Sequence, residues 1–243
     1  MIPHENSAKF YDFVYKKRFG ANYDILTNAN LNKISSYVKS GKVLDFGAGT
    51  GRISIPLAQQ GFDVTAIDKS QAMLDIIKEK AVQYNLNIQT DTKLMPYTDA
   101  TYDIAISIFT VLAYIKDQDE IDFTIKQLWD SLKQGGYFIF DLANKIGYED
   151  RCKKYNCITN STTSQDFTQL VKVTLFNEDD ITFGKYYEKV DGIYNATKFE
   201  YTEEFNIRFW KIEELKSILS IFNFVEKFDL MGATYYVYQR GPK

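Results

Sequence analysis

A glycine-rich stretch places the tightest constraint on how this chain can fold. It spans Val43–Gly51 and reads VLDFGAGTG, with an apolar run at its start and a helical pattern after it. Glycines let the backbone turn tightly and approach a ligand closely, and the first turn of a helix offers unpaired N–H groups and the positive end of the helix dipole. The stretch therefore predicts a strand, a tight turn and a helix N-terminus that together meet a nucleotide-like ligand.

Apolar runs alternate with helical patterns from residue 28 to residue 143. The predicted strands are Val43–Phe46, Asp63–Ile67, Asn87–Thr90, Tyr102–Phe109 and Tyr137–Leu142. The predicted helices are Ala29–Lys39, Arg52–Gln60, a helix capped by Ser70 that runs to Tyr84, and Asp119–Lys133. Strands and helices that alternate at this spacing form a parallel sheet covered on both faces.

Long aromatic strands replace this alternation after Lys145. The runs Leu170–Asn177, Ile181–Val190 and Tyr194–Trp210 are β-prone, and we place turns at the Asn-Glu-Asp-Asp and Asp-Gly sequences between them. A helix over Lys211–Phe222 and two last strands, Val225–Leu230 and Thr234–Gln239, would complete the first sheet. We therefore predict a cap segment over residues 1–27, an α/β core over 28–150 and 211–243, and an antiparallel β insertion over 151–210.

The spacing of the glycines separates two kinds of nucleotide site. A dinucleotide-binding fold has the pattern G-x-G-x-x-G, and counted from Gly47 its last glycine would fall on Arg52. Asp45-x-Gly47-x-Gly49-x-Gly51 instead resembles motif I of class I S-adenosylmethionine-dependent methyltransferases. The cofactor of that family has no pyrophosphate but carries a cationic sulfonium and an amino group, which a carboxylate at the entrance of the loop can help to position.

Further segments fit this resemblance in the expected order. Asp68 ends the second strand, where the family binds the ribose hydroxyls, and Asp91 follows the third strand, where its acid meets the adenine amino group. Asp103 and the turn in Lys133–Phe140 (KQGGYFIF) are also typical, although both have plain structural explanations. The resemblance implies a Rossmann-like, mostly parallel seven-stranded sheet with helices on both faces, and S-adenosylmethionine as cofactor. The cofactor-binding residues that we expect are Tyr11, Arg18, Asp45, Gly47, Ala48, Gly49, Gly51, Asp68, Lys69, Met73, Asp91, Thr92, Ile108 and Phe109.

A closer resemblance extends over nearly the whole chain. Tyr11–Arg18 (YDFVYKKR), Ser107–Ile115 (SIFTVLAYI), Arg208–Leu215 (RFWKIEEL) and the antiparallel insertion are similar to bacterial N-methyltransferases that act on nucleotide-linked amino sugars. This resemblance implies a small-molecule acceptor, specifically an amino sugar carried on a nucleotide. Because ligands of such sheets lie at the carboxyl ends of the strands, we expect three side chains to orient the acceptor: Tyr15, Tyr114 and Asn144.

Histidine use bears on the chemistry. His4 is the only histidine, and it lies in a terminus that we expect to be mobile. We therefore expect no buried histidine base. Methyl transfer from a sulfonium is a direct displacement, so an amine can attack without a strong base, whereas a sugar hydroxyl needs a base or a metal. These points favour N-methylation.

The acidic residues of the insertion and the two cysteines need no functional explanation. Glu200, Glu203 and Glu204 could attract a cationic amine, but a solvated strand face is the simpler account. We see no convergent set of carboxylates and expect no metal. Cys152 and Cys157 are too few for a disulfide scaffold, and we expect free thiols.

Composition and hydropathy exclude several classes of partner. The formal net charge is −3 and no basic face is visible, so we expect no nucleic-acid partner. The longest apolar stretch, Ile104–Ile115, is too short to cross a membrane and contains Ser107 and Thr110. We expect a cytoplasmic protein, and the aromatic insertion could pair two copies into a homodimer.

Two alternatives to amino-sugar methylation stay open. The acceptor could be another small metabolite that presents a hydroxyl, a carboxylate or an amino acid, because the motifs of the closer resemblance are loose. A non-catalytic module that binds the cofactor and uses the insertion as an interaction surface is the other alternative. The glycines together with Asp45, Asp68 and Asp91 favour an enzyme over that module.

Overall fold

The computed structural model describes residues 2–93 and 100–241. The strands within these residues are β1 (Lys42–Phe46), β2 (Asp63–Ile67), β3 (Ile88–Asp91), β4 (Tyr102–Ser107), β5 (Leu132–Leu142), β6 (Ile158–Ser164), β7 (Phe167–Glu178), β8 (Ile181–Tyr194), β9 (Thr197–Arg208), β10 (Asn223–Leu230) and β11 (Ala233–Gln239). The helices are α1 (Tyr11–Phe19), α2 (Ala21–Tyr37), α3 (Ser54–Gln59), α4 (Gln71–Gln83), α5 (Gln118–Ser131), α6 (Lys145–Tyr155) and α7 (Lys216–Leu219).

Seven strands form the main sheet, in the order β10-β11-β5-β4-β1-β2-β3. The five strands from β5 to β3 in this order run parallel, whereas β11 pairs antiparallel with β5 and with β10. The second sheet is fully antiparallel, in the order β6-β7-β8-β9, and follows β5 and α6 in the chain. This architecture confirms the predicted Rossmann-like sheet with its antiparallel insertion.

The main sheet buries apolar side chains on both faces, as a parallel sheet between helices requires. Along β5, Phe138 and Phe140 face the cluster that holds α5 and α7, while Ile139 between them faces the cluster that holds α2. All three side chains are at most 1% exposed. This alternation places one face of β5 against α5 and α7 and the other against α2.

The helix predicted over Lys211–Phe222 is mostly absent, and only α7 is helical there. The segment before α7 forms turns instead, in which the N–H groups of Glu214, Leu215 and Lys216 donate to carbonyls three residues earlier. The carboxylate of Glu214 accepts from the Lys211 N–H at 2.7 Å, and the Trp210 indole donates to two carbonyls after β4. The sequence analysis also missed α6, which has no buried residue and therefore no apolar stripe to reveal it.

The predicted hairpin turn at Asp191-Gly192 is wrong as well. Both residues lie inside β8, and the chain reverses at Asn195 and Ala196, which have φ angles of 51° and 61°. A Cβ on Gly192 would lie 3.0–3.2 Å from ring atoms of Phe167 and Phe199, so this glycine makes room for aromatic packing rather than for a turn.

The two cysteines are paired, against the expectation of free thiols. Cys152 lies in α6, and the chain then turns through Asn156, whose φ is 49°, so that Cys157 returns alongside it. Among the described residues, no helix is both long enough and apolar enough to cross a membrane.

Candidate functional site

The glycine turn lies at the carboxyl ends of β1 and β2. The N–H groups of Gly47 and Ala48 donate to the carbonyl of Ile67, the last residue of β2, at 2.7 and 2.9 Å. The N–H of Gly49 donates to Asp68 Oδ2 at 2.8 Å. Because Gly47 and Gly49 both have positive φ, at 80° and 54°, side chains would strain this turn.

The two central glycines leave different space beside them. A Cβ on Gly47 would lie 2.2 Å from the Val111 side chain, so this glycine allows the turn after β4 to pack closely. A Cβ on Gly49 would meet no atom of the described residues within 4 Å. The open space beside Gly49 is therefore available to a ligand, which fits the cofactor expected there.

Asp68 joins the glycine turn to the start of α4. Its Oδ2 accepts from Gly49 and its Oδ1 accepts from the Ser70 N–H at 2.9 Å, while the Ser70 hydroxyl caps α4 by accepting from Met73 N–H. Burial raises the pKa of the Asp68 carboxyl, and these backbone hydrogen bonds oppose that rise. Its position at the tip of β2 is the one that the sequence predicts for a ribose ligand.

Asp45 lies beneath the turn rather than at its entrance. It is 4% exposed and accepts a hydrogen bond from the Ser54 hydroxyl at 2.6 Å, which ties β1 to α3. Burial raises the pKa of this carboxyl from 3.8 to about 6. In this arrangement Asp45 supports the turn from below.

The pKa of Asp45 predicts a pH-dependent contribution to stability. Between about pH 4 and pH 6 the folded chain holds a proton that the unfolded chain releases, so this group's contribution to stability falls as the pH rises. Asp45→Asn removes the titration. Relative to wild type, we expect the variant's free energy of unfolding to rise by about 2 kcal/mol across that window. Urea denaturation at pH 4, 5 and 6 measures it, with exposed Asp63→Asn as control, and a difference independent of pH would contradict the assignment.

Asp12 of the cap helix α1 contacts the glycine turn, and the sequence did not predict this contact. Asp12 accepts a hydrogen bond from the Thr50 hydroxyl at 2.6 Å and forms an ion pair with Lys80 of α4. The Lys80 ammonium also donates to the Thr50 carbonyl at 2.7 Å. Three elements of the chain therefore meet at one residue of the turn.

A second strained turn follows β4. Phe109 and Thr110 have φ angles of 79° and 60°, and both of their N–H groups donate to the Asp141 carboxylate, at 2.7 and 2.9 Å. Asp141 is 1% exposed at the end of β5, and burial raises its pKa to about 6. The Arg52 guanidinium lies 4.7 Å from the centre of the Phe109 ring. Asp141 thus stabilises the turn after β4.

The other predicted cofactor residues lie in three settings. Asp91 and Thr92 are at the tip of β3, exposed and half-buried, while Met73 and Ile108 are buried in the core. Lys69 points outward to an ion pair with Glu120 at 2.7 Å. Gly51 packs tightly, because a Cβ there would lie 3.0 Å from side-chain atoms of Ile55 and Ile77.

The three residues predicted to orient the acceptor do not all lie together. Tyr15 and Tyr114 are brought together near the cap, but Asn144 caps α6 by accepting from the Gly147 N–H at 3.2 Å. Arg18, predicted to bind the cofactor, instead donates from Nη1 to the Tyr186 hydroxyl of the insertion at 3.4 Å.

The prediction that His4 lies in a mobile terminus is wrong. His4 is 6% exposed, because aromatic rings from the cap, the turn after β4 and the insertion surround it. The centres of these rings lie 5.1–6.3 Å from the imidazole, and they belong to Tyr11, Tyr15, Tyr114, Tyr186 and Phe205. We call this group, with His4, Glu188 and Glu203, the aromatic chamber.

Two carboxylates complete the aromatic chamber. Glu188 and Glu203 are directly opposite each other on β8 and β9, and they are 0% and 6% exposed. The Glu203 Oε2 lies 2.8 Å from His4 Nδ1 as an ion-pair contact. Among the described residues, neither of these atoms has a hydrogen-bond partner, and nor does Glu188 Oε2. One ligand atom of each of these three side chains lies within 4.8 Å of those of the other two. The expected solvated face therefore applies to Glu200 and Glu204 but not to Glu203.

A family model matches the part of the chain that holds the glycine turn. Residues 43–136 match the family model of the methyltransferase domain. The sheet order and the acid at the tip of β2 agree with this match to the methyltransferase domain.

Two relatives match part of the chain. The protein YqeM of Bacillus subtilis is 33% identical over 114 residues, which are 46% of each chain. The ubiquinone biosynthesis O-methyltransferase of Coxiella burnetii is 32% identical over 111 residues, 44% of this chain and 46% of that one. The present chain thus matches about half the length of these relatives.

Solved structures cover nearly the whole chain at low identity. An S-adenosylmethionine-dependent methyltransferase from Clostridium acetobutylicum has a TM-score of 0.78 at 20% identity and covers 96% of this chain and 99% of its own. CalS10, an amino pentose methyltransferase from Micromonospora echinospora with S-adenosylmethionine bound, has a TM-score of 0.70 at 16% identity, covering 95% and 96%. The sugar N-methyltransferase KedS8 from Streptoalloteichus has a TM-score of 0.68 at 14% identity, covering 96% and 93%. These similarities concern the fold, including the cap and the insertion.

Proposed function

We propose that this protein transfers the methyl group of S-adenosylmethionine to an amine on a small molecule, an amino sugar carried on a nucleotide. The observation that carries this proposal is the aromatic chamber with its two buried carboxylates, which lies beside the cofactor turn. The cap over residues 1–27 and the insertion over residues 151–210 enclose the acceptor, and the core over 28–150 and 211–243 holds the cofactor.

The glycine turn fits S-adenosylmethionine in two respects. The free space beside Gly49 lets the cofactor approach the backbone, and Asp68 at the tip of β2 can accept hydrogen bonds from ribose hydroxyls. When bound, the cofactor supplies an activated methyl group on a sulfonium. The protein then needs to align the acceptor and to exclude water, which the chamber can do.

The negative charge of the two buried carboxylates also supports an amine as the acceptor. Buried carboxylates are unfavourable unless they are paired, and an ammonium group would neutralise them. The tyrosine rings around His4 offer faces that attract a cation. CalS10 and KedS8, whose folds are similar, act on an amino pentose and on a sugar nitrogen.

The buried position of His4 removes one argument for nitrogen over oxygen. N-methylation was favoured partly because no histidine base was expected, and such a base can also serve a hydroxyl acceptor. A hydroxyl on a small metabolite is therefore the second candidate acceptor, and one relative is an O-methyltransferase of ubiquinone biosynthesis.

Paired acceptors would separate the two candidates. Calorimetry first measures S-adenosylmethionine binding, and a methyl-release assay then compares thymidine diphosphate-linked 4-amino-4,6-dideoxyglucose with the analogue that has a hydroxyl at carbon 4. Turnover of the amine alone supports the proposal, and turnover of the hydroxyl alone contradicts it. Cofactor binding without turnover of any acceptor would support the non-catalytic module.

Asp68→Ala tests the cofactor site directly. Removing a charge-assisted hydrogen bond to ribose should weaken S-adenosylmethionine binding by about 2 kcal/mol, roughly 30-fold. Calorimetry measures the dissociation constant. Asp63→Ala, at the opposite end of β2, is the matched control and should bind normally. Equal affinities of wild type and Asp68→Ala would count against a ribose ligand at this residue.

Two broader expectations belong to the same proposal. A cytoplasmic location would match a nucleotide-linked acceptor, and the face of the insertion that is turned away from the chamber could pair two copies of the chain into a homodimer.

A further inference from the structure

A carboxylate, an imidazole and a phenol form a continuous chain in the aromatic chamber. Glu203 Oε2 lies 2.8 Å from His4 Nδ1, and His4 Nε2 lies 3.2 Å from the Tyr114 hydroxyl. Neither Glu203 Oε2 nor His4 Nδ1 has a hydrogen-bond partner among the described residues, so Glu203 acts on the imidazole through its charge. When the Tyr114 hydroxyl donates to Nε2, the neutral imidazole carries its proton on Nδ1. The three groups come from β9, from the N-terminal cap and from the turn after β4.

We propose that Tyr114, His4 and Glu203 form a proton relay that removes the proton of the acceptor during methyl transfer. This inference rests on the proposed function and assigns the acceptor's proton a destination. In the relay, Tyr114 touches the acceptor, His4 receives the proton through the phenol, and Glu203 is a positioning residue that pairs with the resulting imidazolium.

The chamber keeps Tyr114 protonated and thus able to pass on its proton. Burial raises the pKa of the Tyr114 hydroxyl well above its ordinary value, and nearby tyrosines and Glu203 act in the same direction. A neutral phenol can donate to His4 Nε2 while its oxygen accepts from the acceptor. Glu188, whose Oε2 has no hydrogen-bond partner among the described residues, remains available to hold a second N–H of an ammonium group.

Atoms and charges balance in this step. The acceptor R–NH₃⁺ gives a proton to the Tyr114 oxygen as the Tyr114 proton moves to His4 Nε2. The freed amine lone pair forms a carbon–nitrogen bond to the methyl carbon, and the carbon–sulfur bond breaks with its electron pair on sulfur. The products are the methylated ammonium R–NH₂⁺–CH₃, S-adenosylhomocysteine and an imidazolium paired with Glu203, which later returns its proton to water.

Titratable groups from several elements bear on His4 and on the pH dependence of the relay. Those that surround the imidazole or interact with its immediate partners are Glu5, Tyr11, Tyr15, Arg18, Asp68, Tyr114, Tyr186, Glu188, Tyr201 and Glu203. Burial raises the pKa of the Tyr11 and Tyr186 hydroxyls well above their ordinary values. These phenols therefore stay neutral over the range in which the enzyme would be assayed.

Kinetics with the amine probe test the relay. His4→Gln should lower kcat by about 100-fold near pH 7, the size of a general-base contribution. Wild-type kcat/KM should reach a plateau below the pKa of the acceptor amine. In His4→Gln it should keep rising about tenfold per pH unit up to that pKa, because only amine already deprotonated in solution can react.

A double variant and a matched control distinguish a proton relay from a purely structural role of these residues. Residues that act as a unit lose little more together than singly, so His4→Gln/Tyr114→Phe should be about as slow as either single variant. Glu203→Gln should also lose the plateau. Glu204→Gln, the exposed neighbour on β9, should keep the wild-type profile. Wild-type pH profiles in both His4→Gln and Glu203→Gln would overturn the relay.

A second readout needs no turnover. Because the chain has a single histidine, ¹⁵N-histidine labelling gives one pair of imidazole signals. The relay predicts a protonated Nδ1 and an unprotonated Nε2, with a Nδ1 signal that moves in Glu203→Gln and not in Glu204→Gln. A single averaged signal that Glu203→Gln leaves unchanged would overturn it, as would Zn²⁺ binding at the imidazole that the amine probe cannot displace.

The two measurements also separate this inference from the proposed function. If wild type methylates neither amine nor hydroxyl probes, the proposed function fails, while the imidazole spectrum still decides whether the hydrogen bonds of the relay exist. If wild type methylates the amine but the variants behave as wild type, the relay alone fails.

Discussion

Gly49→Val is expected to abolish S-adenosylmethionine binding, with affinity at least about 1000-fold weaker, or ~4 kcal/mol. The reason is spatial, since no atom of residues 2–93 and 100–241 lies within 4 Å of the Cβ position of Gly49. A valine side chain would therefore fill the space that the cofactor needs without meeting the protein first. Calorimetry with S-adenosylmethionine and with S-adenosylhomocysteine measures the loss.

Backbone strain must be separated from this loss of space, because φ is 54° at Gly49 and valine resists that conformation. Gly61→Val is a matched control. Gly61 has φ of 90°, also has no atom of these residues within 4 Å of its Cβ position, and lies before β2 at the opposite edge of the sheet. Both variants should lose stability, by about 1–3 kcal/mol, but only Gly49→Val should lose the cofactor. Normal affinity in Gly49→Val would refute this position of the ligand.

Asp141→Ala should destabilise the protein by about 4 kcal/mol. Its carboxylate is buried and accepts from the N–H groups of Phe109 and Thr110, and both of those residues have positive φ. Without the carboxylate, two backbone donors lose their partner and nothing holds the strained turn that positions Tyr114. Urea denaturation at pH 7.5 measures the free energy of unfolding.

Asp141→Asn is the informative comparison for that variant. Its amide oxygen, in the place of Oδ1, can still accept from both N–H groups. Its amide nitrogen replaces Oδ2, which accepts from the Thr110 N–H at 3.0 Å, and the nitrogen cannot accept. We therefore expect a loss about half as large as in Asp141→Ala. If Asp141→Ala unfolds within about 1 kcal/mol of wild type, the hydrogen bonds to Phe109 and Thr110 do not stabilise the turn.

The main sheet could be predicted because its pattern is local. Each strand of the core is a short apolar run next to a helix with a clear apolar stripe, as in α4, where Met73, Leu74 and Ile77 are buried. The segment after Trp210 could not be predicted in this way. Its backbone groups bind particular side chains such as Glu214, and no periodicity reports such contacts.

The cofactor half of the site was predictable for a similar reason. Gly47, Gly49 and Asp68 belong to one strand–turn–helix unit and the strand beside it, so their spacing in the sequence sets their positions in space. The sequence did not predict that Asp45 would lie beneath the turn, because the Ser54 hydroxyl that binds it carries no motif signal.

The arrangement of the aromatic chamber depends on strand register. Glu188 and Glu203 face each other only because β8 and β9 reverse at Asn195 and Ala196. Placing the turn at Asp191-Gly192 instead changes the pairing and hides the two buried acids. A hairpin turn centred between Asn195 and Ala196 sets these two glutamates opposite each other. These two turn residues were therefore the sequence signal to look for.

His4 could not be assigned from sequence because nothing local holds it. Its partners, Tyr114 and Glu203, are 110 and 199 positions away in the chain, and only the packing of the cap against the insertion brings them together. A single histidine in a polar N-terminal segment looks like tail sequence until that packing is known.

The contact between Asp12 and Thr50 has a kinetic consequence. The same helix that helps to roof the aromatic chamber also holds the middle of the glycine turn, so a ligand that settles against the turn also steadies the roof. In the proposed reaction, a cofactor at the turn would therefore slow the opening of the cap over residues 1–27.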